Sequence, residues 1–373
     1  MDYSLDEICL YPAAVTMVQS RSQCDITYDN KLPLYVAPMT SLINIQNSKY
    51  FTSQGFNVIL PRTIDFDIRI NAMKEGSLIA VGLDEANHLY HRFSMLKANG
   101  ELDYVPRICI DQANGHMMEL LNVCTDLKNL LGQDGIWIMT GNIANPEIYY
   151  EYAKIGIDAV RVGIGAGNVC TTSCKTGIHY PMASLIIECN YKKNVVKEIM
   201  RTELDELSKL ITHESALKSI EKVSTTYKSV PIIIADGGFK RIDQIIKALA
   251  LGADYVMLGE MIAKSKEACG DIKWTSVNGT HCNARQYYGM STERAQKNIN
   301  KASNTNNRIK QSEGIEKWVP VEYSIEEWVE DFEKSLQSSM SYCNAFGLED
   351  FVGKVSYNAM SMHTFNEYYK WQQ

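Results

Sequence analysis

The sequence predicts an α/β fold, a (β/α)8 TIM barrel, and three observations predict it. Eight short apolar runs rich in β-branched residues are bounded by Gly, Pro or Asp, as buried parallel strands are. Helical stretches separate most of them, as crossover connections require. Polar or Gly-rich residues recur just after the runs, where barrel enzymes carry their chemistry. A doubly wound sheet is the rival arrangement, because it reuses the same alternation.

The runs fall in order at 32–38, 56–60, 77–82, 106–111, 135–141, 158–163, 230–238 and 254–260. The stretch 145–156 reads as a helix, with Pro146 near its start and Gly156 as C-cap. The stretch 241–252 ends in the same way at Gly252. Two segments exceed a minimal barrel. Residues 189–229 are polar and helical, too long for a simple crossover, and read as a helical insertion. Residues 270–315 are rich in Asn, Gly, Ser and Lys and read as a mobile active-site loop or flap. The C-terminal segment 320–373 contains an amphipathic helix that should pack on the barrel, completing one domain over 1–373.

Apolar residues make up 45% of the 373, enough to bury a large core. A net charge of −7 and no Lys/Arg-rich block argue against a nucleic-acid partner. No apolar run approaches the length of a membrane span, and the N-terminus has no secretory pattern, so a cytoplasmic protein is expected. Ten scattered cysteines fit a reducing compartment. The one close pair, Cys170 and Cys174, has CxxxC spacing and a single nearby histidine, which is poor for zinc.

The richest stretch is "RVGIGAGNVCTTSCKTGIHYP", Arg161 to Pro181. Its alternating glycines, Gly163, Gly165 and Gly167, let backbone approach a ligand or ion, and they equally suit a plain tight loop. They do not form a GxGxxG dinucleotide fingerprint. A free cysteine is by default a small buried hydrophobe. Cys170 stands apart by position, in a Gly-rich loop at a predicted catalytic barrel end.

This loop resembles the cysteine loop of the IMP dehydrogenase/GMP reductase family. So do "SRSQCD", "ICIDQANG", "IMTGNIANPE", "IIADGG", "KALALGADYVMLGEM" and "YYGMSTERAQK", which follow the family's order from Ser20 to about Gly314. The resemblance implies a cytoplasmic (β/α)8 barrel, a homotetramer, acting on a purine nucleotide with a nicotinamide cofactor. The segment from Arg62 to Leu78 is short, so the regulatory module that many dehydrogenases insert there is missing. Glu313 in "KQSEGIEKWVP" and the lack of an Arg-Tyr pair after Cys170 resemble the reductase branch.

The implied reaction is NADPH-dependent conversion of GMP to IMP and ammonia, with Cys170 as nucleophile on purine C2 and Thr172 with Glu313 as proton donors. The implied substrate contacts are Asn142, Asn168, Asp236, Gly237, Gly238, Gly259, Glu260, Gly289, Met290, Ser291, Lys310, Ser312 and Gly314. The implied cofactor contacts are Ser20, Arg21, Arg62, Asp111, Gln112 and Ala113. Carbonyls of Gly165, Gly167 and Cys170 match a potassium site. IMP dehydrogenation, reduction of a deoxy or modified purine, and a silent nucleotide-binding protein are the alternatives.

Several positions depart from the family pattern. Met39-Thr40-Ser41 lacks an Asp, Arg62 replaces a Lys, Ala166 and Asn168 replace Pro and Ser, and Lys310 replaces an Arg. Glu260 stands where the family has Gly or Ser beside the phosphate. A carboxylate there repels a phosphate dianion unless it points away or meets a cation.

Overall fold

The computed structural model describes residues 2–210, 226–303, 308–309 and 312–369. Eight parallel strands close on themselves; seven lie within the runs expected from sequence, and the fifth extends two residues past its run, to Ile143. They are β2 (Leu34–Val36), β3 (Asn57–Leu60), β4 (Leu78–Val81), β5 (Arg107–Asp111), β6 (Trp137–Ile143), β7 (Ala159–Val162), β8 (Ile232–Asp236) and β9 (Tyr255–Leu258). β9 pairs back onto β2 through Leu34–Val256 and Val36–Leu258, which settles the choice between barrel and open sheet. Every residue of β4 and β7 is buried. Strands covered by helices outside and side chains inside have no solvent face, so their sequences are continuous apolar runs.

The helix Ile148–Ile155 stops where Gly156 turns left-handed at φ 92°, and Ile242–Leu251 stops likewise at Gly252, φ 120°. In the second helix every residue from Gln244 to Leu251 is buried, so one apolar face on the barrel cannot account for it. The second cover is the long C-terminal helix Ile325–Tyr342, whose Ile325, Trp328, Val329, Phe332, Leu336 and Met340 face inward. A small sheet joins the chain ends beside it: β1 (Ile8–Leu10) pairs antiparallel with β13 (Tyr357–Ala359). That strand is an addition to the helical reading of 320–373.

The two extra segments differ from expectation in instructive ways. The helix Met182–Leu210 runs unbroken for 29 residues. Its first half is the barrel's own crossover, with Ala183, Leu185, Ile186, Cys189 and Val196 buried, and residues 197–206 are mostly exposed. The segment from Cys189 to Leu210 is therefore part of that helix, its start belonging to the crossover; residues 211–225 of the expected insertion lie outside the described residues.

The segment 270–315 is not simply a loop. It contains the hairpin of β10 (Ile272–Val277) and β11 (Thr280–Tyr288), then the helix Glu293–Ala302. β12 (Glu316–Pro320) completes a three-stranded sheet on β11. The turn is Asn278-Gly279, both left-handed at φ 51° and 84°, which suits a two-residue hairpin. Both faces of β10 are largely exposed, so its composition is polar and reads as loop. Arg285 of β11 ties this sheet to the barrel. Its guanidinium is buried and donates to the carbonyls of Ala263, Ser265, Lys266, Ala268 and Gly270.

A second buried cation organises the barrel rim. Arg69 is fully buried and donates to Glu85 and to the carbonyls of Ile64 and Ala80. Glu85 also accepts from Gly82 N–H at 2.9 Å and from the Ser303 hydroxyl at 2.6 Å, at the end of the helix Glu293–Ala302. Burial alone would raise the Glu85 carboxyl, but Arg69, Ser303 and the Gly82 N–H outweigh it and hold it below the ordinary value of 4.5.

Removing one member of such a pair strands the other. Arg69→Met should lower stability by about 3–5 kcal/mol, read as the shift in urea midpoint. A depressed carboxylate contributes stability that is present above its unfolded pKa and lost as pH falls through the folded one. Wild type should therefore lose more stability than Glu85→Gln on going from about pH 6 to about pH 3.5.

Candidate functional site

A cavity of about 710 Å³ opens at the C-terminal ends of the barrel strands. Its floor is set by one arginine. Arg161 on β7 is nearly buried, with Nη2 2.7 Å and Nε 3.1 Å from Asp236 Oδ2, and Nη1 bonded to Asp111 Oδ1. Asn142 joins them, donating from Nδ2 to Asp236 Oδ2 at 2.7 Å and to the Gly163 carbonyl at 2.9 Å. The ends of β5, β6, β7 and β8 are thus held together by one charge network. The two carboxylates raise the guanidinium well above its ordinary pKa against the pull of burial. The same arginine lies 3.7 Å from the buried thiol of Cys109, which burial pushes up to about 12.

The glycine loop after β7 rests directly on the loop after β8. Gly237 has φ 101°, and a Cβ there would come within 2.9 Å of the Gly167 amide nitrogen. The backbones leave no room for a side chain at Gly237; Gly163 and Gly165 have φ 126° and 72°, and a Cβ there would meet the Asp236 carbonyl and Ser173, whereas at Gly167 the nearest atom is Cys170 Cβ at 3.5 Å.

This packing presents Cys170 to the cavity. Its Sγ lies 3.2 Å from Thr172 Oγ1, and Thr172 Oγ1 donates to Glu313 Oε2 at 2.6 Å. Glu313 arrives from 143 residues further along the chain, and backbone pairing fixes it. Thr171 N–H donates to the Glu313 carbonyl at 2.7 Å, Ile315 N–H donates to the Val169 carbonyl at 3.0 Å, and Cys170 bridges Gly314. Thiol, hydroxyl and carboxyl form a line along which a proton can move.

Most of the other expected residues line the same cavity: Asn142, Asn168, Asp236, Gly237, Gly238, Gly259, Glu260, Gly289, Met290 and Ser291, with Arg62, Asp111, Gln112 and Ala113. Ser312 and Gly314 stand just behind it, where the Ser312 hydroxyl donates to the Gly314 carbonyl at 3.0 Å. Ser20 and Arg21 do not reach it; Ser20 caps an exposed turn, Arg21–Gln23. Lys310 lies outside the described residues.

The Glu260 carboxylate meets a cation. Lys317 Nζ of β12 is 2.6 Å from its Oε2. Sequence reasoning did not find Lys317, nor Tyr287, Arg161 and Arg308, which line the cavity. For Arg161 a signal existed: it is a lone charge within the apolar run "DAVRVG". For Lys317 there was none, since nothing local links position 317 to 260.

Arg62 projects into the cavity, and its guanidinium fills the space a side chain at Gly82 would need. Its Nε is buried without a hydrogen-bond partner, 3.8 Å from Glu85 Oε2. Arg62 lines the cavity together with Asp111–Ala113, so its charge is available to a polar ligand there. At the glycine loop, the Gly165 carbonyl accepts from the Ser173 hydroxyl at 3.2 Å and the Gly167 carbonyl accepts from Cys170 N–H at 2.9 Å. Each carbonyl keeps a second lone pair, and neutral oxygens of this kind suit a weakly held monovalent cation.

Comparison with known proteins places these features in a family context. Residues 70–200 and 211–369 match the family described as the IMP dehydrogenase / GMP reductase domain. Among curated relatives, the chain is 29% identical over 378 residues to a protein named GMP reductase from Oceanobacillus iheyensis, covering 98% of this chain and 97% of that one. It is 27% identical to the GMP reductase of Helicobacter pylori over 94% of this chain and 93% of that one. The GMP reductase of Staphylococcus aureus is 26% identical over 98% of both chains. No helix among the described residues is long and apolar enough to cross a membrane.

Arg161→Met would leave Asp111 and Asp236 facing each other without their cation. We expect a loss of about 3–5 kcal/mol in urea unfolding.

Proposed function

The chain belongs to the IMP dehydrogenase/GMP reductase family, and from that premise we propose that it catalyses the NADPH-dependent reductive deamination of GMP to IMP with release of ammonia. The observation that carries this reading is the line from Cys170 through Thr172 to Glu313. A protein that only binds nucleotides has no use for a nucleophile joined to a carboxyl through a hydroxyl.

In the mechanism this supports, the Cys170 thiolate adds to purine C2 and forms a C–S bond. Glu313, through the Thr172 hydroxyl, delivers a proton to the exocyclic amine, and the C2–N bond breaks with loss of ammonia. A reduced nicotinamide, when bound, supplies hydride to C2. The C2–S bond then breaks and the electron pair returns to Cys170 as thiolate. The net reaction consumes one proton beside the hydride and gives IMP, neutral ammonia and the oxidised cofactor.

Asp236, oriented by Arg161 and Asn142, holds the ribose hydroxyls with its remaining lone pairs. Gly289, Met290 and Ser291 face the base with Ser312 near it, and Lys310 is assigned there by the family resemblance alone. Backbone at Gly237, Gly238, Gly259 and Glu260 and the side chain of Asn168 take the phosphate. Arg62 and Asp111–Ala113 in the cavity, with Ser20 and Arg21 outside it, would hold the nicotinamide cofactor. A potassium ion on the carbonyls of Gly165, Gly167 and Cys170 would stiffen the nucleophile's loop. The reading takes the protein as a single-domain homotetramer of the cytoplasm, with 270–315 as its flap.

The test is NADPH consumption at 340 nm with GMP, dGMP and other guanine compounds, and IMP with NAD as the reverse assay. GMP-dependent oxidation with stoichiometric ammonia is the expected result, abolished in Cys170→Ala. Thr172→Val and Glu313→Gln should lower kcat by about 10²–10⁴ while GMP binding persists. Turnover of another purine alone would move the substrate assignment, and turnover only of IMP with NAD would make the protein a dehydrogenase. Silence with every substrate would make it a binding protein.

A further inference from the structure

The charges around the cavity are unbalanced for an anionic substrate. Its described lining carries Arg62, Arg161 and Arg308 against Asp84, Asp111, Glu119, Asp236, Glu260 and Glu313. Arg161 is already committed to Asp111 and Asp236. Of the lining residues Gly238, Gly259, Glu260 and Tyr287, Glu260 is the charged one, a carboxylate.

A 5′-phosphate dianion placed there, as the proposed function requires, needs a counter-ion. Lys317 borders this end from outside the lining. Its ammonium is 2.6 Å from Glu260 Oε2 and 5.9 Å from the centre of the Tyr287 ring. The side chains of Glu260 and Lys317 are 15% and 31% exposed, so neither is sealed from solvent, and Glu260 itself lines the cavity. An ammonium has three donors, and Glu260 occupies one. A partly exposed pair of this kind adds little to stability, so its consequence lies in what it does to the adjoining site.

We propose that Lys317 is a specificity residue for the phosphate end of the substrate, with Glu260 as the arm that holds its ammonium there. This deepens the reading of a guanine nucleotide substrate and rests on it. With Lys317 present, Glu260 is neutralised and the spare N–H groups meet the phosphate. Without Lys317, the carboxylate faces the dianion directly. Glu260 is then tolerated only because position 317 is cationic, and the two positions must be coupled.

The test is calorimetric binding of GMP and of guanosine to the full chain, without cofactor, in wild type, Lys317→Ala, Lys317→Met, Glu260→Ser and the double variant Glu260→Ser/Lys317→Ala. Lys317→Met keeps an unbranched apolar stem near Tyr287 and guards against a packing effect. Wild type should bind GMP more than tenfold tighter than guanosine. Each Lys317 variant should weaken GMP by about tenfold or more while guanosine changes by less than about threefold. The double variant should recover most of that loss, because the uncompensated carboxylate is gone. The effect should shrink as salt is raised.

If Lys317→Ala and Lys317→Met bind GMP as wild type does, or weaken GMP and guanosine equally, the proposal fails. It fails too if wild type binds guanosine as tightly as GMP, or does not bind GMP. These ratios do not depend on turnover, so an inactive protein that binds GMP in this pattern would sink the catalytic reading and leave this one standing.

Discussion

The salt-bridge network centred on Arg161 is the interaction on which the rest of the site depends. A guanidinium in the mouth of a barrel is costly unless its charge and donors are met. Here Asp111 and Asp236 meet it from β5 and β8, and Asn142 braces Asp236 from β6. The planar fork of an arginine can reach two carboxylates at fixed angles, which a lysine cannot. The network fixes where the loops after four strands begin. The glycine loop then has one place to lie, against Gly237 and Gly238, and the position of Cys170 follows.

Polar ties from buried or half-buried cations join distant segments elsewhere in the fold as well. Arg69 and Glu85 join the second and third β/α units, and Ser303 ties the helix Glu293–Ala302 to the same carboxylate. Arg285 fastens the three-stranded sheet to the loop 263–270 through five carbonyls. Glu260 and Lys317 connect the end of β9 to β12. The sheet that carries the second half of the site is therefore not loosely appended. It is anchored at several polar points, and backbone pairing between 169–171 and 313–315 places Glu313 beside Thr172.

The changes from the family pattern make more sense as pairs than as single drifts. Glu260 alone would disfavour a phosphate, whereas Glu260 with Lys317 forms a neutral couple. Thr40, where the family carries an Asp, has its hydroxyl 2.9 Å from that of Thr63, and so a neutral hydrogen bond replaces a charge. Nothing in the structure accounts for Asn168 in place of Ser.

The sequence by itself determined the barrel, because a parallel strand covered on both faces must be apolar throughout, and that pattern is local. It also marked Cys170, Asp236 and the glycine loops, since loops after barrel strands carry distinctive residue types. Family motifs added Thr172 and Glu313. The hairpin at Asn278-Gly279 was written in the chain as well, but its exposed faces gave it the composition of a loop. Tertiary structure alone decided what met what. Lys317 against Glu260, Ser303 against Glu85, and Arg161 between two aspartates are contacts across 57, 218, 50 and 75 residues. Charge pairing depends on distance in space, and no local pattern of residues encodes which distant charge will arrive.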